Sequence, residues 1–265
     1  MAETSIEWTE ATWNPIVGCT IATPGCTNCY AMRMAARIEA MGTAPHYSGT
    51  TKRVHGKAVW TGKLALAPDA VLAAPLHRRR PTTYFVNSMG DLFHEDCSDE
   101  WIHRVFAVMA EARQHTFQVL SKRAQRMNDY LSTHQAEPLR NVWIGVSTER
   151  QKEADERIPL LLGAPAAVRF ISAEPLLGPL NIRNYVSDKK NRGPRLDWVI
   201  VGGESGPRAR PMDPAWVEKI RVQCDHSDAA FFFKQWGGKN KKAAGRKLNG
   251  RTYDAMRLVE ESALT

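Results

Sequence analysis

Residues 13–30 read WNPIVGCTIATPGCTNCY, and this stretch holds three of the chain's five cysteines in a C-x6-C-x2-C spacing: Cys19, Cys26 and Cys29. The apolar pair Ile16–Val17 predicts a short strand before the cysteines, and AMRMAARIEA over residues 31–40 predicts a helix after them. The proline and glycine of the loop can turn it so that the three sulfurs face one point. Three thiolates are one too few for a closed tetrahedral site, so the spacing predicts a metal centre with an open coordination position.

The composition is that of an ordinary globular protein, with 265 residues, 43% apolar and 24% charged. The N-terminus has no apolar core of signal-peptide length, and no apolar run approaches the length of a membrane span. We therefore expect a cytoplasmic protein with no membrane partner. An odd number of cysteines without an export signal argues against a disulfide framework and favours a metal or redox role for the cluster.

The chain is basic, with a net charge of +8 and an isoelectric point near 9.4. Such a charge suits a polyanionic partner such as nucleic acid, although a basic surface that serves only solubility is an equal alternative. Basic residues cluster in residues 77–80, 189–192 and 239–247. The last cluster predicts a mobile surface segment over residues 239–247. It begins a basic C-terminal extension, residues 239–265, which follows a single domain over residues 1–238.

From Pro81 onward, short apolar runs alternate with amphipathic segments. The predicted strands are TYFVNS (83–88), HTFQVLSK (115–122), NVWIGVST (141–148), VRFISAEP (168–175), LDWVIVGGES (196–205) and AAFFFKQWG (229–237). Near-continuous apolar runs favour parallel strands that are buried on both faces. The weak periodicity of residues 42–80 predicts an irregular surface excursion after the first helix.

Repeated strand–helix units form either a barrel or an open doubly wound sheet, and no GxGxxG supports a dinucleotide-binding sheet. Polar residues end each of the six later strands: Asn87–Ser88, Ser121–Lys122, Ser147–Thr148, Ser172 with Glu174, Glu204–Ser205 and Lys234–Gln235. In βα barrels the carboxyl ends of the strands line the active site. We therefore predict an α/β partial barrel with one site at this edge. The alternative is that polar residues mark strand ends in any sheet.

A cysteine loop after the first strand resembles the radical S-adenosylmethionine (SAM) superfamily, although its usual spacing is C-x3-C-x2-C. The tyrosine after the last cysteine, Tyr30, and the segment Ser121-Lys122-Arg123 resemble spore photoproduct lyase and its relatives. Over residues 13–237 the chain resembles a phage- and prophage-borne family of uncharacterised radical-SAM-like proteins. The segments that carry this likeness are WNP-x2-GC, GC-x2-CYA, VNSMGDLFHED, FQVLSKRAQRM, WIGVSTE, FISAEPLLGP, DWVIVGGESG and FFFKQWG.

The resemblance implies a partial (β/α)6-7 TIM-type barrel of the radical SAM kind. In it, Cys19, Cys26 and Cys29 would bind three irons of a [4Fe-4S] cluster, and SAM would chelate the fourth iron. An electron from the cluster would cleave SAM, and the resulting radical would abstract hydrogen from the substrate. A reductant such as flavodoxin or ferredoxin is an implied partner.

The same resemblance implies roles for the strand-end residues. The SAM amino group would meet Asn87, Ser88 and Asp91, the carboxylate would meet Ser121 and Lys122, and the ribose hydroxyls would meet Ser147 and Glu174. Glu204 and Lys234, from the last strands, are the candidate catalytic residues on the substrate side. Trp236 either stacks on a base or packs in the core.

The predicted reaction is hydrogen abstraction from a nucleic acid or nucleotide, as in DNA modification or repair in a phage context. Two rival functions remain. A fourth ligand would convert the cysteines into the structural zinc site of a nucleic-acid-binding module without catalysis. A cluster that does not react with SAM would instead make the chain an electron-transfer or sensor protein.

Overall fold

A computed structural model describes residues 2–135, 137–186 and 193–256. The strands are β1 (Ala2–Glu3), β2 (Ala11–Trp13), β3 (Ile16–Val17), β4 (Thr51–Val54), β5 (Lys57–Trp60), β6 (Ala65–Leu66), β7 (Thr83–Val86), β8 (Thr116–Ser121), β9 (Val142–Ser147), β10 (Val168–Ala173), β11 (Trp198–Gly202) and β12 (Ala230–Gln235). The helices are α1 (Tyr30–Met41), α2 (Asp69–Leu72), α3 (Asp99–Glu111), α4 (Ala124–His134), α5 (Gln151–Gly163), α6 (Pro214–Asp225) and α7 (Lys241–Ala244).

The main sheet has eight strands in the order β1-β2-β7-β8-β9-β10-β11-β12. The last seven in this order are parallel, and β1 adds an antiparallel edge to β2. The parallel strands curl into a half barrel, so the prediction of an α/β partial barrel is confirmed. Because connections between parallel strands cross over through helices, the carboxyl ends of all seven strands lie at one edge.

Both faces of the half barrel are apolar, as the continuous apolar runs predicted. On the outer face, α3, α4, α5 and α6 bury their apolar sides against the sheet, and Ile102, Met127, Ile158 and Ile220 are fully buried there. The inner face carries an aromatic cluster of Trp8, Phe85, Trp143, Phe170, Trp198 and Phe232. Trp8 comes from the lead-in segment, and its ring centroid lies 4.7 Å from that of Phe85 and 6.1 Å from that of Trp198. It therefore fills the half barrel from within.

Two expectations need correction. The apolar pair Ile16–Val17 forms β3, but β3 pairs with β6 in a separate two-stranded sheet. The first parallel strand of the main sheet is β2, whose central residue is the polar Thr12. The segment before the cysteines is therefore a strand that has already left the sheet. Proline commonly interrupts a helix, so a break is expected at Pro159, but α5 continues through this residue.

The basic extension after the last strand packs against the sheet, and Trp236 Nε1, directly after β12, donates to Lys247 O at 2.9 Å. As far as residue 256, it folds back onto β12: Phe233 N donates to Tyr253 O at 2.9 Å, and Trp198 Nε1 donates to Ala255 O at 2.9 Å. Leu248 is buried in the main core. The basic cluster at 189–192 and residues 257–265 lie outside the described residues.

Candidate functional site

The carboxyl ends of the parallel strands open into one cavity of about 770 Å³. Twelve side chains were predicted for the site, and all of them line this cavity: Cys19, Cys26, Cys29, Asn87, Ser88, Asp91, Ser121, Lys122, Ser147, Glu174, Glu204 and Lys234. Most of these residues follow a strand of the main sheet or lie at its end, whereas the three cysteines belong to the loop between β3 and α1. The residues predicted to share one site therefore line the same cavity.

The cysteine loop forms one wall of the cavity. The amide of Gly18 donates to Met89 O at 3.1 Å and ties the start of the loop to the segment after β7. The turn ends where Cys29 N donates to Cys26 O at 3.2 Å, and α1 begins at the next residue. All three cysteines are free thiols. Within residues 2–135, 137–186 and 193–256, no group of three or more His, Cys, Asp or Glu side chains is arranged to hold a metal ion.

A buried arginine, Arg123, connects the loop to the sheet. Its guanidinium donates to Cys19 Sγ at 3.5 Å, to Asp91 Oδ2 at 3.2 Å and to Thr20 Oγ1 at 2.7 Å. Burial, and then the charge of Asp91, raise the pKa of the Cys19 thiol to about 12, although Arg123 opposes the shift. Burial likewise raises the pKa of Cys29. At neutral pH both sulfurs are therefore protonated unless a bound cation replaces the proton.

A second buried charge, Glu149, lies beneath the loop. One carboxylate oxygen accepts from Thr23 Oγ1 at 2.8 Å and forms an ion pair with Lys122, and the other accepts from Arg157 Nη1 at 3.1 Å. The side chain of Glu149 is completely buried. A Cβ atom at Gly25 would overlap this carboxylate, so glycine is required where the loop crosses Glu149. Glu149 therefore fixes the position of the cysteine loop through its hydrogen bond from Thr23.

Asn87 lines the cavity, and its side chain has a buried hydrogen-bond donor without a partner among the described residues. Its Oδ1 accepts from Ile16 N at 3.2 Å, which fixes the orientation of the amide, while the buried Nδ2 has no partner within the part of the chain that the structure describes. The residue also adopts a left-handed backbone with φ of +55°. Such strain at a site lining is typical of functional positions. Since the free atom is a donor, Asn87 suits an acceptor such as a carboxylate, rather than the amino group predicted for it.

Asp91 is already fully engaged. Its two oxygens accept from Ser121 Oγ at 2.7 Å, from Phe93 N at 3.1 Å, from Lys122 N at 2.9 Å and from Arg123. The carboxylate therefore joins the loops after β7 and β8. In this arrangement it positions its neighbours and has no free lone pair directed at a ligand.

On the opposite wall, Lys234 pairs with Glu174 at 2.6 Å. Glu174 also accepts from Trp8 Nε1 at 3.2 Å and from Ser172 Oγ at 3.1 Å, and Lys234 Nζ lies 5.9 Å from the ring centroid of Trp8. Both charged side chains remain partly exposed to the cavity. The ammonium group of Lys234 can donate a hydrogen bond, and the carboxylate of Glu174 can accept one, from a ligand that lies above the aromatic cluster.

The carboxylate of Glu204 accepts hydrogen bonds from Arg210 and Asn28, and we call these three residues the Glu204 clasp. Arg210 donates to both of its carboxylate oxygens, at 2.9 Å and 2.5 Å, and Asn28 Nδ2 donates at 3.0 Å. Arg210 also donates to Pro24 O at 3.0 Å, so the clasp joins the segment after β11 to the cysteine loop. Although burial raises it, the hydrogen bonds from Arg210 and Asn28 hold the pKa of Glu204 below its usual value. Its carboxylate is occupied, which differs from the free catalytic group expected.

The family model described as "Protein of unknown function (DUF5131)" matches residues 3–257. The chain belongs to this family. Comparisons with curated proteins and with solved structures gave no match. None of the described helices is long and apolar enough to cross a membrane.

Some site residues differ from the predicted set. Trp236 packs against Phe233 with ring centroids 4.8 Å apart and does not line the cavity, so the core-packing alternative holds for it. Arg123, Glu149 and Arg210 were missed as site residues. Arg123 and Glu149 directly follow predicted strand-end residues, which was an available signal. For Arg210, which lies beyond any strand end, we find no such signal.

Proposed function

We propose that the chain is a radical SAM enzyme. One observation carries the proposal: three free cysteines of a single loop share a cavity with polar side chains from the carboxyl ends of the parallel strands. A half barrel with its cysteine loop at this edge is the arrangement that the resemblance to the radical SAM superfamily implies. We extend this proposal to the phage- and prophage-borne family that the chain resembles.

Cys19, Cys26 and Cys29 would hold the [4Fe-4S] cluster, although in the described chain their sulfurs are not grouped closely enough to hold a single metal ion. Thiolates suit iron–sulfur ligation, and three of them leave one iron for SAM. Because the thiols of Cys19 and Cys29 are protonated in the metal-free chain, binding of iron to them would release protons, as is usual for thiolate sites. Arg123, which already donates to Cys19 Sγ, would supply a hydrogen bond to a ligating sulfur. When bound, the cluster supplies the electron that cleaves SAM.

The SAM contacts follow from the atoms that remain free. Asn87 Nδ2 would donate to the SAM carboxylate, and the Ser147 hydroxyl, which also lines the cavity, would bind the ribose. Lys122 lies at the same wall, but Glu149 engages its ammonium group. We therefore propose that Lys122 and Asp91 position the SAM site, and that Asn87 binds the cofactor directly.

The substrate would be a nucleic acid or nucleotide, modified or repaired in a phage context. The net charge of +8 supports a polyanionic partner. Lys234 and Glu174 face the part of the cavity above the aromatic cluster and are the best-placed proton donor and acceptor for substrate. A flavodoxin or ferredoxin in the cytoplasm would serve as the reductant.

Anaerobic reconstitution with iron and sulfide tests the cluster. We expect about four irons and four sulfides per chain. Cys26→Ala should abolish loading, and the matched control Cys224→Ala should not, because Cys224 is buried in α6 away from the cavity. Stoichiometric zinc without sulfide would contradict the proposal and favour a zinc-stabilised binding module.

A further inference from the structure

The positive charge of the chain is concentrated beside the cavity. Residues 30–63 contain six basic residues and one acidic residue, Glu39, which is a net +5 of the chain's +8. The basic residues are Arg33, Arg37, Lys52, Arg53, Lys57 and Lys63. This segment comprises α1 and the β4–β5 hairpin and is separate from the clusters that the sequence singled out.

These six cations are exposed and lack carboxylate partners. Within the described residues, none of them forms a salt bridge, and the nearest bonds are those of Lys63 Nζ to Ser48 O at 2.8 Å and Arg53 Nη1 to Gly56 O at 3.4 Å. Some arginines elsewhere, such as Arg126 and Arg221, are paired with acids. Unpaired exposed cations are available to bind phosphates without first breaking an ion pair.

The same segment builds the apolar wall of the cavity. The hairpin packs on α1 around a small core that includes Tyr47 and Trp60, and both of these residues line the cavity together with Met34 and Ile38. Arg33 and Arg37 alternate with Met34 and Ile38 along α1. Arg33 and Arg37 are therefore adjacent to lining residues of the cavity, and the cations of the hairpin belong to the element that supplies its aromatic wall.

We propose that α1 and the β4–β5 hairpin form the docking surface for a single-stranded nucleic-acid segment. Its phosphates bind the exposed cations, and one base enters the cavity against Met34, Tyr47 and Trp60. The combination of basic groove and aromatic wall is the one that single-strand binders use. An acidic peptide would use the cations but would leave the aromatic wall unexplained. The substrate part of this inference rests on the proposed function, whereas the binding surface does not.

The test is fluorescence anisotropy with a labelled 12-nucleotide single-stranded DNA and the full chain, titrated at several salt concentrations. The variant Lys52→Gln, Arg53→Gln, Lys57→Gln removes three cations of the hairpin tip and flanks, all of them exposed. We expect binding at least about tenfold weaker, and a log–log salt slope smaller by about two, because a single strand contributes about 0.7 per phosphate contact.

The matched control is Arg79→Gln, Arg80→Gln, Lys219→Gln. These cations are also exposed, but Arg79 and Arg80 precede β7, at the opposite edge of the sheet, and Lys219 lies on α6. The control loses the same net charge, but at positions remote from the hairpin. Because salt screens such remote charges, its affinity for the DNA should change by less than about threefold. Equal losses in the two variants would overturn the docking surface and leave only a general effect of net charge.

Two further probes test the nature of the partner. An oligomer of abasic nucleotides should bind more weakly than the DNA, and equal affinity would overturn the entry of a base into the cavity. Vesicles with anionic headgroups should not compete for the hairpin, and displacement of the DNA by them would indicate a membrane surface instead.

All binding is measured on protein without iron. Failure of cluster loading therefore leaves this result intact, and failure here leaves the cluster proposal intact.

Discussion

Replacement of Glu149 by glutamine tests how the cysteine loop is held. The carboxylate accepts from Thr23 in the loop and balances Lys122 and Arg157. Glu149→Gln keeps the size of the side chain but leaves two buried or half-buried cations without their counterion, and an amide N–H group would face one of them. We therefore expect loss of stability together with release of the loop.

The magnitude follows from the burial. Breaking a buried ion pair by removal of one partner costs about 3–5 kcal/mol. Lys122 is still 20% exposed, so water can solvate it in part. This places the expected loss near the lower limit, at about 3 kcal/mol, which lowers the thermal midpoint by roughly 6 °C or more in a chain of this size. Calorimetry measures the midpoint, and hydrogen exchange of residues 19–29 reports release of the loop.

The control is Glu153→Gln, which lies in the first turn of α5, four residues after Glu149. Glu153 is also buried, but its partner Arg150 is 40% exposed and does not contact the loop. This variant should lose about 1 kcal/mol or less, with unchanged exchange in the loop. If Glu149→Gln lost less than about 1 kcal/mol and its loop exchanged as in the wild type, Glu149 would not be the anchor.

The pH dependence gives an independent check of Glu149. Burial raises its pKa, but the charges of Lys122 and Arg157 outweigh burial and hold it below the ordinary value of 4.5. A lowered folded-state pKa contributes stability above the unfolded-state value, and this contribution is lost as the pH falls through the folded-state value. The advantage of the wild type over Glu149→Gln should therefore be full at pH 7 and shrink below pH 4.5.

Three further changes probe the cavity walls. A Cβ at Gly203 would overlap a backbone carbonyl oxygen, so Gly203→Ala should cost at least about 2 kcal/mol in thermal unfolding, whereas Gly178→Ala, which meets nothing, should stay within about 0.5 kcal/mol. Asn87→Gly keeps the left-handed backbone but removes the unpaired amide donor. Titration calorimetry on reconstituted protein should therefore show an affinity for SAM that is about tenfold lower. An unchanged affinity would exclude a contact between Asn87 and SAM. Glu204→Gln should cost about 1 kcal/mol, because Arg210 is 34% exposed, and should speed proteolysis beside Arg210; an unchanged cleavage rate would contradict the clasp.

The sequence predicted the half barrel because buried parallel strands are continuous apolar runs that end in polar residues. NVWIGVST is an example: all six residues of β9 are buried, and Ser147 at its end lines the cavity. This pattern is local, so it can be detected without knowing the fold. It located the strand ends and thereby the wall positions of the candidate site.

The sequence did not predict which distant side chains and strands pair with each other. Glu149 and Thr23 are 126 positions apart, and Asn28 and Glu204 are 176 positions apart, so nothing local indicates that they meet. The same holds for β2, whose three residues pair in the main sheet while the more apolar Ile16–Val17 does not. Residue type therefore predicted which side chains reach the cavity, but not which of them are already occupied by a partner.

Formation of 5′-deoxyadenosine tests the central claim most directly. Reconstituted protein is reduced anaerobically, SAM is added, and the product is measured by chromatography in the wild type, Cys26→Ala and Cys224→Ala. We predict 5′-deoxyadenosine from the wild type and from Cys224→Ala, and none from Cys26→Ala. A fully loaded wild-type protein that binds SAM but forms no 5′-deoxyadenosine would contradict the radical mechanism and favour an electron-transfer or sensor role.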